Sequence, residues 1–266
     1  MKQLKKKPGV DAAAYTKEYY ETHCEGYKEF NESKGKRISN RLLYASEVVG
    51  LKPGMITVDI GCGRGELVRH LASNEIYTWG IDYSQNAIDI AQELLNQESA
   101  KIRTYAGLQL ASAMLIPIKS NSIDVVFMLD IVEHLYPEEL SNSLSEVYRI
   151  LKPGGKLIVH TMPNLWYYRY GYPLYRFIEQ MRGKKLPANP RERFKYSHVH
   201  VNEQTPHSLA RTLSKYFRNR VWLQTTQDYN YEKNRLIRLG MRFLTAVYPF
   251  KFIFCNDIFA IATCQK

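Results

Sequence analysis

Val58-Asp59-Ile60-Gly61-Cys62-Gly63-Arg64-Gly65-Glu66 is the stretch that decides the fold. Apolar, strand-like residues lead into an acid, three glycines follow within five positions, and a helix-like sequence takes over. Glycine permits a sharp turn and lets a bound molecule lie directly against the backbone. The nearest look-alike is the dinucleotide fingerprint G-x-G-x-x-G/A, which seats a pyrophosphate on a helix N-terminus. Here the sixth position carries the carboxylate of Glu66, and Asp59 stands just ahead of the glycines. Both acids are badly placed for phosphate. The loop suits a cofactor that has no phosphate and at least one positive charge.

Three further segments follow in order. Ile76–Ile81 reads as a second strand and ends in Asp82, an acid about 20 residues past the glycines that is placed to take both ribose hydroxyls. Ser122–Leu129 reads as a buried strand, and Leu151–Val159 as a turn followed by another. On these four segments the chain resembles the class I S-adenosylmethionine-dependent methyltransferases over roughly residues 40–162. The resemblance implies S-adenosylmethionine as cofactor, whose ammonium and sulfonium match an acidic loop. Independently of it, alternating strands and helices argue an α/β, doubly wound, mainly parallel sheet, with ligands beyond the carboxyl ends of the strands. Seven strands are expected, at 55–60, 76–82, 101–106, 123–129, 156–162, 220–226 and 257–264. Helices are expected at 64–73, at 85–97 behind Ser84 as N-cap, and at 206–217 behind Thr205 as N-cap.

Charge divides the chain. Residues 51–162 hold nine basic and thirteen acidic side chains, whereas residues 163–220 hold twelve basic and three acidic within a total of +11. Residues 1–50 read as a helical cap in which Tyr15, Tyr19 and Tyr20 are candidates to cover the cofactor, with a basic, solvated start. Residues 51–162 read as the cofactor core. Residues 163–200, rich in Trp, Tyr, Arg and Lys, read as a basic aromatic lid inserted after the fifth strand, since long insertions in compact domains carry function or disorder and aromatics oppose disorder. Residues 201–266 complete the sheet, with a second insertion at 229–254. That insertion is amphipathic; core packing is its expected role, and a cap or a bilayer interface the alternative. Cys24, Cys62, Cys255 and Cys264 lack metal-type spacing, and no apolar run is long enough to span a bilayer, so a cytoplasmic protein, at most peripheral to a membrane, is expected.

The resemblance assigns the cofactor residues. It implies that Gly61, Cys62 and Gly63 back onto the methionine portion while Asp59 steers its ammonium. Asp82 takes the ribose hydroxyls, Tyr83 packs on the adenine, Ser112 and the Ala113 N–H meet its edge, and the Leu129 carbonyl lies near the methionine amine. Next comes Asp130-Ile131-Val132-Glu133-His134. On a helical turn, i, i+3 and i+4 share one face, which would aim two carboxylates and an imidazole at the sulfonium. The same D/E-x-x-E-H arrangement occurs in ubiquinone-biosynthesis O-methyltransferases and in small-RNA 2′-O-methyltransferases, with a further His downstream. By that resemblance, Asp130, Glu133, His134 and His198 are candidate ligands of a divalent Mg, Mn or Zn ion, with His200 as the fallback for His198. Metal-free, His134 is a general base, with Glu133 and Asp130 the other candidate catalytic groups. A structural role is the third possibility. His160 and the remaining histidines read as surface or packing residues.

The chemistry favours O-methylation of a hydroxyl on a small or lipid-linked acceptor, sugar or phenolic, and the basic aromatic insertion favours one that is anionic or amphipathic, with contact between that lid and a membrane surface as a further expectation. RNA 2′-O-methylation is the runner-up and a non-catalytic cofactor-binding protein the third class.

Overall fold

The structure is a computed structural model and describes residues 10–266. The basic start of the chain lies outside the described residues. In chain order the elements are α1 (Lys17–Thr22), α2 (Tyr27–Ser33), α3 (Asn40–Glu47), β1 (Ile56–Ile60), α4 (Glu66–Ser73), β2 (Tyr77–Asp82), α5 (Gln85–Asn96), α6 (Ala100–Arg103), β3 (Ala106–Leu110), β4 (Ile123–Leu129), α7 (Pro137–Ile150), β5 (Leu151–Thr161), α8 (Tyr172–Met181), α9 (Pro206–Leu213), β6 (Phe217–Leu223), α10 (Arg235–Ala246), α11 (Lys251–Phe254) and β7 (Ile258–Cys264).

One seven-stranded sheet runs in the order β3-β2-β1-β4-β5-β7-β6. The first five of these strands are parallel, and β7 is antiparallel to both its neighbours. The central strands are near-continuous apolar runs because helices cover both faces. Val58, Ile60, Val126, Met128, Leu157 and Val159 pack on one face with Leu140, Leu144 and Val147 of α7. Phe127 and Ile158 pack on the other with Leu67 and Leu71 of α4. The order of the sheet reverses direction between β1 and β4, so the carboxyl ends of these strands open a crevice at the switch point.

Several boundaries differ from expectation. The third strand lies at 106–110 rather than 101–106, because Ser99 accepts from the Ile102 N–H and caps a helical turn of good helix formers. The stretch at 11–50 is three short helices, interrupted where Gly26, Lys34 and Gly35 take left-handed backbone. The helix behind Thr205 stops at Leu213, and β6 begins three residues early, at Phe217. The second insertion is not core packing: in α10 only Thr245 is buried.

Candidate active site

Three acids stand at the carboxyl ends of adjacent strands: Asp59 in β1, Asp82 closing β2 and Asp130 after β4. Between them the glycine loop turns through left-handed backbone at Gly61, Gly63 and Gly65. A Cβ on Gly65 would lie 2.8 Å from that of Ala91, so only glycine lets α4 pack this closely on α5. The loop, the strand ends and the N-terminal helices enclose a cavity of about 930 Å³. Asp59, Gly61, Cys62, Gly63, Asp82, Tyr83, Ser112, Ala113 and Leu129 all line it.

Each acid has its own environment. The Asp82 carboxylate accepts from the Gly63 N–H at 3.0 Å and the Ser84 N–H at 2.9 Å, one on each oxygen. A second lone pair on each oxygen stays available, which suits a vicinal diol. Burial raises its pKa against the pull of those N–H groups. Asp59 is also buried, and burial together with Asp82 and Glu66 pushes its pKa up to about 7. A bound cation would restore its charge. Cys62 is buried and its thiol pKa is pushed well up by that burial, so it is no nucleophile.

Arg64 explains the acid at the sixth position of the loop. Its guanidinium pairs with Glu66 at 2.8 Å and donates to the carbonyls of Tyr20, Cys24 and Glu25. It fastens the N-terminal segment over the loop and is used up in doing so. The loop therefore offers buried carboxylates and backbone, with its one cation committed, which fits an amino acid and a ribose and not a pyrophosphate. Ser84, expected as a helix cap, makes no capping bond and donates instead to the Tyr15 carbonyl at 3.3 Å. Tyr83 donates its hydroxyl to the Val10 carbonyl and keeps part of its ring exposed to the cavity.

Asp130, Glu133 and His134 all line the cavity, yet they do not share one helical face. Asp130 has a φ of 56°, and the helical turn that follows is a 3-10 turn over Val132–His134. The left-handed residue swings its carboxylate away from the other two. One oxygen pairs with Arg41 of α3 and the other lies 2.5 Å from His160 Nδ1. Arg41 also pairs with Glu25 at 2.8 Å, and His160 Nε2 lies 3.3 Å from Asp257. Burial opposes charge on His160, but Asp130 and Asp257 outweigh it and push its pKa up to about 10. Burial likewise opposes charge on Asp130, and Arg41 and His160 hold the carboxyl well below the usual range. His160 is thus not a packing residue but the centre of a buried ionic chain that ties β4, β5 and β7 to α3. Neither it nor Arg41 carries a local sequence signal: α3 also holds Asn40, Ser46 and Glu47, and β5 also holds Lys152, Lys156 and Thr161.

His134 is half-buried on the other side of this turn. Its Nδ1 lies 2.9 Å from the Tyr15 hydroxyl, and its ring meets the His200 ring edge-on at 4.8 Å. Burial and His200 lower its pKa to about 3, so the imidazole is neutral. Glu133, only 1% exposed, accepts from the Thr161 hydroxyl at 2.7 Å. Burial, then Asp130, pushes its pKa up to about 8. The Glu133 carbonyl accepts from the N–H groups of Val201 and Asn202, which brings the following segment onto the site. That anchoring selects His200: ligand atoms of Glu133, His134 and His200 lie within 4.8 Å of one another. His198 is exposed and lies outside the cluster. One residue of an alternating pair faces inward, and it is the fallback rather than the preferred one. Tyr15 caps this end of the cavity and joins Tyr83 and Tyr19 in edge-to-face contacts.

The methyltransferase domain family matches residues 58–159. Phosphoethanolamine N-methyltransferase 2 of Caenorhabditis elegans is 35% identical over 109 residues, 41% of this chain and 24% of that protein. Demethylmenaquinone methyltransferase of Desulfitobacterium hafniense is 30% identical over 178 residues, 63% of this chain and 67% of that protein. The chain thus spans about a quarter of one relative and two thirds of the other. Among solved structures, the Haloferax volcanii putative methyltransferase in complex with the Trm112 methyltransferase activator superposes with a TM-score of 0.64 at 13% identity, covering 94% of this chain and 97% of that one. Family model, relatives and sheet order agree with the carboxylate-lined loop: the chain belongs to the class I S-adenosylmethionine-dependent methyltransferases.

Proposed function

We propose that this protein transfers a methyl group to a hydroxyl oxygen of a small or lipid-linked, amphipathic acceptor. The observation that carries the reading is the closeness of Glu133 to the neutral His134, both at the cavity wall just past the Leu129 end of β4. A hydroxyl is a poor nucleophile until its proton is taken, whereas a free amine is not, so buried proton acceptors favour oxygen. When bound, S-adenosylmethionine supplies a methyl made electrophilic by its sulfonium. The protein's own work is alignment, proton removal and exclusion of water.

Asp59 and Asp82 hold the cofactor's ammonium and ribose. The Tyr15 hydroxyl and His134 Nδ1 share a hydrogen bond that orients the ring, and in the tautomer whose Nδ1–H donates to that hydroxyl it is Nε2 that carries the accepting lone pair. Burial gives His134 low basicity but raises that of the Glu133 carboxylate, which makes Glu133 the stronger acceptor once ionised. The donor set of one carboxylate and two neutral imidazoles also suits a divalent cation, which Glu133, His134 and His200 would hold and which would lower the pKa of the acceptor hydroxyl. Asp130 has no place in that set, because Arg41 and His160 occupy it.

The test combines variants with a pH profile. Glu133→Gln and His134→Asn should each keep S-adenosylmethionine affinity within about threefold and lower methyl transfer by roughly 100-fold or more. Wild-type kcat/KM should rise with pH up to about 8, as the Glu133 carboxyl ionises, and Glu133→Gln should lose that limb. Full activity in both variants would remove the proton-acceptor role. Transfer confined to RNA, with a steep salt dependence, would replace the small acceptor.

A further inference from the structure

Two helices break the rule that governs the rest of the fold. In α8, Leu174, Phe177, Ile178 and Met181 recur at helical spacing and all face solvent, with Met181 77% exposed. In α10, Leu236, Leu239, Phe243 and the following Val247 do the same, with Leu236 79% exposed. Their period is that of a core-facing helix, but no protein covers them. The two segments are neighbours: Arg182 pairs with Glu232 at 3.2 Å, and the Trp166 and Phe252 rings lie 5.8 Å apart. Two such stripes on neighbouring segments are more than isolated exposed side chains account for.

The charge around this face says what covers it. Residues 233–254 hold five basic side chains and no acid. Residues 163–185 hold five more and one acid, Glu179, which is buried and turned onto Arg182 and Lys184. A second copy of the chain would bring the same cations against these and be repelled. Exposed Tyr170, Tyr231 and Tyr248 add rings of the kind that settle at headgroup depth. No helix among the described residues is long and apolar enough to cross a membrane. We propose that α8 and the α10–α11 segment lie in the plane of an anionic lipid bilayer, apolar stripes down and arginines at the headgroups. The other side of α8 is turned toward the cavity: Arg193 lines the cavity and sits over the Tyr172 and Tyr175 rings at 5.8 and 5.6 Å.

The experiment is vesicle flotation of the full chain, which needs no turnover and no acceptor. Vesicles of phosphatidylcholine with phosphatidylglycerol should carry the protein, and vesicles of phosphatidylcholine alone should carry much less. High salt should weaken the binding. The triple variant Arg235→Gln, Arg238→Gln, Arg242→Gln should bind roughly 100-fold more weakly, at about fivefold per charge. Leu236→Ser, Leu239→Ser, Phe243→Ser combined should lose at least about tenfold. Unchanged S-adenosylmethionine affinity in both variants certifies their fold, since these residues lie away from the cofactor loop. Wild type that stays behind when anionic vesicles float would overturn the proposal, as would a serine variant that binds like wild type. A dimer in sedimentation velocity that the serine variant abolishes would also overturn it, by making the face an interface between copies. Because flotation and methyl transfer are read separately, either proposal can fail alone.

Discussion

The buried half of the site and the two insertions use the same kinds of residue to opposite ends. Around β4, Arg41, His160 and Asp257 are buried, Glu25 and Asp130 are partly so, and the five pair with one another. On α8 and α10, arginines stand at the surface beside apolar stripes that meet no protein. Charge in the first region holds the architecture, since an ion left without its partner in the interior is costly. Charge in the second meets backbone more than carboxylates, as where Arg176 donates to the Leu186 carbonyl and Arg242 to that of Asp228, and so keeps its sign toward a partner. An arginine therefore has no fixed value; its surroundings set it.

The sharpest way to break this comparison is to remove one arginine from each region. Arg41→Met should destabilise the protein by about 3–5 kcal/mol, because Asp130 keeps its burial and loses its guanidinium. Arg238→Gln should change stability by no more than about 0.5 kcal/mol. Chemical denaturation of both variants checks the pair, and equal costs would dissolve the distinction. Next in size is Asp82→Ala, which removes the carboxylate proposed to take the cofactor's ribose. Calorimetry should find S-adenosylmethionine affinity lowered by roughly 10- to 100-fold, with thermal stability affected far less than in Arg41→Met.

Smaller effects come from pH. Asp59 has its pKa pushed up to about 7, and the cofactor's ammonium prefers the ionised form. Affinity should therefore strengthen as pH rises toward 7, by up to about tenfold per unit below it, and flatten above. Asp59→Asn should flatten the whole profile. Stability runs the other way. His160 has a folded pKa raised to about 10, so its contribution is complete below the ordinary histidine range, near 6.5, and is lost as pH rises from there through 10. Melting temperature should fall across that window, and a His160→Gln variant should show a shallower fall.

Much of the site was legible because its signals are local. Strand, acid, glycines and helix follow one another in a few residues, and Asp82 closes the next strand, so Asp59, the loop and Asp82 could be placed before any fold was known. The ionic chain was not legible, because Arg41 and His160 are more than a hundred residues apart and only the sheet order brings them to Asp130. The shared-face reading of Asp130 failed on one left-handed residue, which spacing does not reveal. His198 and His200 were two candidates for one place; the choice depended on hydrogen bonds from Val201 and Asn202 to the Glu133 carbonyl, in the turn after β4 and far away in sequence. The stripe on α10 was visible as a period. A period locates a face but not its neighbour, so core packing was expected where solvent was found.

The most direct test of the account follows the methyl group itself. The full chain is incubated with S-adenosylmethionine carrying a deuterated methyl and with lipids and small molecules extracted from cells, and the labelled product is solved by mass spectrometry and NMR. The account predicts the deuterated methyl on an oxygen, as an ether of an amphipathic acceptor, absent with Glu133→Gln. A deuterated methyl on nitrogen or carbon would contradict it, as would label found only in RNA.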